Sequence, residues 1–188
     1  MKYSTRLLLL LTFSWGMVGL ERMVMAFVMP AIQQDFKLTY TQVGALISAF
    51  GFAWALGTWL MGSLSDYIGR RLVIVFLMIF GGVCSWLTGI AGSFAMLLAV
   101  RAVMGFAEGG IAGPASAALA EESPPQNRGR NLGLMTGAFV FLGGAVGPIL
   151  STSLMASLGW RPVFFIYAIP AILLGILISL VMREAASR

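Results

Sequence analysis

The chain has no histidine, a single cysteine and only 19 formally charged side chains among its 188 residues. Each shortage removes a class of chemistry. Without histidine there is no His-based metal site, no Ser-His-Asp triad and no Ser-His dyad. Cys84 cannot close an internal disulfide, and between apolar neighbours it reads as a packing residue. Charged residues make up 10% of the chain, against about 25% in soluble proteins, which leaves too little polar surface for a water-soluble fold. A disordered chain is excluded by the lack of any long polar tract, and the 23 glycines follow no collagen-like period.

Apolar residues are abundant instead: 59% of the chain is hydrophobic, with a mean hydropathy of +0.92. This composition is that of an all-α integral membrane protein. At about 20 residues per span the length accommodates about six transmembrane helices. Charge-free runs place them at about 7–28, 41–64, 72–91, 94–119, 131–157 and 162–182, in one bundle over residues 1–188. Met29-Pro30 is expected to end or kink the first helix. Gly89, Gly92 and Ser93 punctuate an apolar run too long for one span. The N-terminus is read as an uncleaved first helix, because its apolar stretch continues past Glu21-Arg22.

Lysines and arginines in alternate loops set the orientation. One side holds Lys2, Arg6, Arg70, Arg71, Arg128, Arg130, Arg183 and Arg188; the other holds Lys37 and Arg161. Eight against two places both termini in the cytoplasm and the chain in the cell's inner (plasma) membrane. The net charge of +5 follows from this topology and does not call for a nucleic-acid partner.

Between helices 2 and 3 the sequence reads Gly62-Ser63-Leu64-Ser65-Asp66-Tyr67-Ile68-Gly69-Arg70-Arg71. Its glycines suit close helix approach and a sharp turn, and Asp66 suits pairing with a basic loop or a helix N-terminus. The segment resembles the signature loop of the major facilitator superfamily, with Tyr67 where a basic residue is usual. The resemblance implies that Asp66, with Gly62, Gly69, Arg70 and Arg71, forms part of a cytoplasmic gate. Arg128 and Arg130 on the next loop of the same face are the expected partners of Asp66; the alternative is that these arginines only set topology. Arg101, Gly105 and Gly109 match a second pattern of the family, and Gly143-x-x-x-Gly147-Pro148 matches the core of its antiporter motif. Leu134 and Ser151-Thr152 depart from that motif. These glycines and Pro148 also fit helix packing and kinking alone. The family fold implies a 3+3 inverted repeat of six helices, with helices 1 and 4 lining a central cavity.

Four charged residues fall within the spans: Glu21 and Arg22 on helix 1, Arg101 and Glu108 on helix 4. Each costs about 2.5 kcal/mol or more at the bilayer centre, so a buried functional cluster is expected. Arg101, Gly105 and Glu108 share one helix face. At about 1.5 Å per residue, Arg22 lies about 22 Å from the cytoplasmic end and Glu108 about 16 Å, an offset that two long side chains can span. The alternative is that Glu21 or Arg101 lies nearer a membrane edge and only anchors or pairs structurally. Protonating Glu108 leaves the cluster net positive and favours an anion. Conversely, an anion on Arg22 removes the counter-charge of Glu108 and drives it toward protonation. Proton and anion then bind with positive coupling, as symport requires.

Within the superfamily the chain is similar to the anion:cation symporters, through Glu21-Arg22, Ser48-Ala49-Phe50, Gly105-x-x-Glu108, Pro125 to Gly129, and Gly159-Trp160-Arg161. Glu21 stands where Asp is common, Trp54 where Tyr is frequent and Thr58 where Gln follows. These changes point away from sugar acids and leave aromatic or aliphatic carboxylates open. Trp160 also suits an interfacial anchor. The expected function is proton-coupled transport of a small organic anion by alternating access, with Arg22, Glu21, Glu108, Arg101 and Trp54 as the substrate and proton site. No enzyme activity, metal or cofactor is expected. The alternatives are a drug/proton antiporter of the same fold and a non-transporting six-helix subunit. Since the superfamily normally has twelve helices, a second six-helix half or a homodimer partner is expected.

Overall fold

The computed structural model describes residues 3–183. Lys2 and Arg188 of the basic side, and the tail beyond Arg183, lie outside these residues. The order is α1 (Tyr3–Phe36), α2 (Tyr40–Ile68), α3 (Arg70–Gly89), α4 (Phe94–Glu122), a 3₁₀ turn (Pro125–Asn127), α5 (Arg128–Val140), a π turn (Phe141–Val146), α6 (Gly147–Leu158) and α7 (Trp160–Val181). There is no strand among the described residues. Here α5, the π turn and α6 form one span, and six helical stretches are long and apolar enough to cross a membrane.

Three departures from the expected boundaries have local causes. Helix α1 does not stop at Pro30 but continues to Phe36. Proline removes only one backbone donor, a loss that membrane helices accommodate by small local adjustments. The terminator is Lys37, in the left-handed region at φ 51°. Its successor closes a Schellman bond, Leu38 N–H to Gln33 C=O at 3.0 Å. Helix α2 begins on a capping box formed by Thr39 and Gln42. It runs on to Ile68 and stops at Gly69, whose φ of 99° excludes most side chains. The fifth span is not uniformly α-helical. Pro148 cannot donate to the preceding turn, and Gly147 N–H reaches back five residues to Leu142 C=O instead.

Two apolar cores fill the bundle. One joins Leu7 and Leu11 to Val73, Ile74, Leu119 and Ile178 at the end where Tyr3 and Arg183 meet, the Arg183 N–H donating to the Tyr3 hydroxyl at 3.0 Å. The other joins Val28 and Ile32 to Leu38, Leu97, Trp160 and Phe164 at the far end. Glu21, Arg101 and Glu108 fall along α1 and α4 where one core gives way to the other, and all three are buried.

Glycines set the closest helix approaches. A Cβ on Gly105 or Gly109 would collide with the carbonyls of Phe50 and Trp54, and one on Gly57 with the carbonyl of Phe106. Helices α2 and α4 therefore touch backbone to backbone. An equivalent seam joins α1 to the fifth span, with Gly19 against the carbonyl of Phe139 and Gly143 against that of Gly19. In contrast to α1, α3 and α4, α2 and the fifth span remain mostly exposed, showing Phe52, Trp59, Phe141 and Ile149.

Candidate functional site

The four intramembrane charges come from two helices, and α2 supplies the aromatic wall beside them. Arg22 lies over the Trp54 ring, 4.3 Å from its centroid, and Arg101 lies over Phe50 at 4.4 Å. Both guanidiniums thus meet π faces, which suit cations removed from water. The Trp54 ring is itself fixed by neighbours, with Phe50 at 5.8 Å, Trp15 at 6.1 Å and Phe139 at 6.4 Å between centroids. Below it, the Thr58 hydroxyl donates to Trp54 C=O at 2.9 Å or to Gly109 C=O at 3.0 Å, pinning α2 onto α4. Thr58 is therefore a helix clamp.

Arg22 and Arg101 line a cavity of about 490 Å³ between α1, α2 and α4, together with Met25, Met29, Ile47 and Phe50. No carboxylate among the described residues lines it. The two carboxyl groups sit deeper. Glu108 is buried with neither oxygen hydrogen-bonded among the described residues, and Oε1 of Glu21 likewise lacks a partner. Ser85 stands beside Glu21, and Glu108 is close enough to feel Glu21, Arg101 and Arg22. Contrary to the expected Arg22–Glu108 contact, no ion pair within 4 Å joins any of the four among the described residues. Arg101 instead donates to the Met104 sulfur at 3.2 Å, a weak acceptor. So the arrangement holds two cations on the cavity wall and two carboxyl groups behind it.

The signature loop is organised around Arg70. The turn at Gly69 starts α3 with Arg70 facing back toward α2, and its guanidinium meets Asp66 at 3.3 Å and Glu121 at the end of α4. The expected partners of Asp66, Arg128 and Arg130, do not reach it. Arg128 is exposed without an ion pair among the described residues, and Arg130 turns to Asn131. Glu121 was missed because the sequence signal lay in the arginines, whereas the loop geometry brings the last turn of α4 to Arg70. Arg71 donates to Ser179 C=O on α7 and so fastens α3 to α7.

A third polar cluster closes the far end. Arg161 donates to Asp35 at 2.6 Å and to Ala91 C=O at 3.4 Å, and lies over the Trp160 ring at 4.3 Å. Trp160 is buried at the start of α7, its indole N–H donating to Asp35 at 3.2 Å. Asp35, 126 residues from Arg161, gave no sequence signal.

Residues 11–188 match the Major Facilitator Superfamily. A protein named "Probable sulfoacetate transporter SauU" from Cupriavidus necator is 34% identical over 78% of this chain and 34% of its own length. A niacin transporter of Acinetobacter baylyi is 28% identical over 95% of this chain and 40% of its own. A hexuronate transporter of Bacillus subtilis is 29% identical over 90% and 40% respectively. The solved structure of a bacterial homolog of the human lysosomal transporter Spinster, inward-facing and unoccupied, superimposes with a TM-score of 0.91 at 25% identity. That superposition covers 100% of this chain and 44% of the other. The chain thus spans less than half the length of these proteins. Sequence match, six apolar helices and superposition agree: the chain belongs to the major facilitator superfamily, a family of membrane transporters rather than enzymes.

Proposed function

We propose that these residues form one six-helix unit of a carrier that moves a small organic anion together with protons by alternating access. The observation that carries this reading is the cavity wall, which two guanidiniums line with no wall carboxylate among the described residues to neutralise them. An anion entering there replaces ring contacts with charge-assisted hydrogen bonds, for which a planar guanidinium is well shaped. Glu108 and Glu21 serve as the proton carriers. A proton on Glu108 leaves the cluster positive and an anion balances it, so each ligand strengthens the other's binding. The names of the sulfoacetate, niacin and hexuronate relatives support the anion class.

The glycine seams support a 3+3 inverted repeat. Exchanging the first three spans with the last three turns the α1 seam with the fifth span into the α4 seam with α2. Gly19 and Phe106, the carbonyls met by Gly143 and Gly57, stand 87 residues apart, and those two glycines stand 86 apart. The exposed apolar faces of α2 and the fifth span are where a second six-helix half, or a second copy, packs. The Asp66–Arg70–Glu121 group gates the cytoplasmic side of the inner membrane, where both chain ends lie, and opens as the units rock.

The test is uptake of labelled carboxylates and sulfonates into membrane vesicles containing the protein. Saturable uptake that falls at least about ten-fold in both Arg22→Gln and Arg101→Gln is expected, since each charged hydrogen bond contributes about 1.5–3 kcal/mol. Uptake unchanged in both variants refutes the site. Anion efflux driven by an inward proton gradient would replace symport with antiport.

A further inference from the structure

Among the described residues, the side chains of the cavity wall supply strong hydrogen-bond donors and no acceptor stronger than a thioether. Besides Arg22 and Arg101, its side chains are hydrocarbon or thioether: Met25, Met29, Leu46, Ile47 and Phe50 among them. Arg101 is buried to 3% exposure, and the Met104 sulfur is its one hydrogen-bond partner among the described residues. Its other donors have no protein partner among the described residues and are free to meet a ligand in the cavity. A guanidinium has donors only. A carboxylate or sulfonate has acceptors only, so the acid group of a substrate matches the two arginines fully. A hydroxyl group also brings an O–H donor, and this wall gives it only weak thioether acceptors. Each hydroxyl buried that way costs about 1–3 kcal/mol. A methylene or ring edge in the same place gains about 0.8 kcal/mol per buried CH₂. The methionines add to this preference, because flexible thioethers mould to apolar bodies of differing shape and favour aromatic rings.

We infer that the substrate is a small anion with an aliphatic or aromatic, unhydroxylated body, selected over polyhydroxylated sugar acids by Met25, Met29, Ile47 and Phe50. The inference rests on the anion-carrier reading above and deepens it. In this arrangement Arg22 and Arg101 fix the acid group, which both kinds of anion possess. Selection between them falls to the residues around the body. Phe50 has two tasks, holding Arg101 from one side and presenting apolar surface to the substrate.

The experiment compares labelled benzoate, propane-1-sulfonate and D-gluconate, three monoanions, as transported species in membrane vesicles containing the protein. Benzoate or propane-1-sulfonate is expected to be taken up with an apparent affinity at least ten-fold better than gluconate. Ile47→Asn and Met29→Gln, which add acceptors to the wall, are expected to narrow that ratio several-fold by improving gluconate. Protein recovered from the vesicles should show unchanged amounts and unchanged thermal unfolding in at least one of the two variants. Gluconate taken up as well as or better than the apolar anions overturns the inference and leaves the anion carrier standing. A ratio that neither folded variant moves overturns the assignment of these residues. If none of the three is taken up or competes with another anion, the carrier reading falls, and the inference with it.

Discussion

Arg70 and Arg101 are the same side chain under opposite regimes. Arg70 stands at the start of α3 with two carboxylates around it, Asp66 and Glu121, both well exposed. Arg101 is buried in α4 with a phenyl ring and a sulfur for company, while among the described residues neither Glu21 nor Glu108 nearby forms an ion pair and both Glu108 oxygens lack a hydrogen-bond partner. At the loop, ions pair in reach of water, where such pairs contribute only about 0–1 kcal/mol. Between the cores, ions are withdrawn from water and kept apart, which is costly unless a ligand completes them. The loop is built to break and re-form with little change in energy. The interior cluster is built to be incomplete. The gate we propose needs the first property, and the proposed binding site needs the second.

The sharpest way to break this comparison is one conservative change made in both places. Arg101→Lys keeps the charge but loses the planar fork, so anion uptake should fall about ten-fold or more. Arg70→Lys should stay within about three-fold, since an exposed pair tolerates a point charge. Initial uptake rates measure both, and equal losses would erase the distinction. Next in size are the seams that hold the cluster's walls together. Gly109→Leu forces α2 away from α4 at Trp54 and should destabilise the protein by about 1–3 kcal/mol, read as a lower midpoint of thermal unfolding in detergent. Gly44→Leu meets open space and should leave the midpoint in place. Smaller again is the gate: Glu121→Gln should shift the inward/outward balance about two- to five-fold, measured by thiol labelling of introduced cysteines on each side. Asp66→Asn should shift it in the same direction. An Asp66→Asn protein with unaltered accessibility and transport would remove the gate role.

The spans were legible because hydropathy runs and loop charges are local signals. Glu21, Arg22, Arg101 and Glu108 were legible for a related reason: a charge inside an apolar run is conspicuous wherever the helix finally sits. Gly105, Gly109 and Gly143 announced close packing, although their partners did not show, whereas Gly147 meets another helix only at ordinary contact distance, Phe27 at 3.7 Å. What escaped depends on which helices become neighbours. Phe50 was only part of a short motif until α2 placed it under Arg101. Asp35 met Arg161 and Trp160 only after the bundle closed its far end. Glu121 was overlooked because two arginines nearby offered a simpler pairing for Asp66. Pro30 misled by a local rule, since one missing donor does not stop a helix that is packed along its length.

The central claim is that the unpaired carboxyl of Glu108 carries the proton that couples to the anion. Uptake of labelled propane-1-sulfonate, too strong an acid to cross the bilayer in neutral form, into membrane vesicles with and without an inside-alkaline pH gradient tests it most directly in the native protein and Glu108→Gln. The account predicts that the gradient accelerates uptake in the native protein and has no effect on Glu108→Gln, which still exchanges labelled for unlabelled anion. Gradient-driven uptake that survives in Glu108→Gln would contradict it.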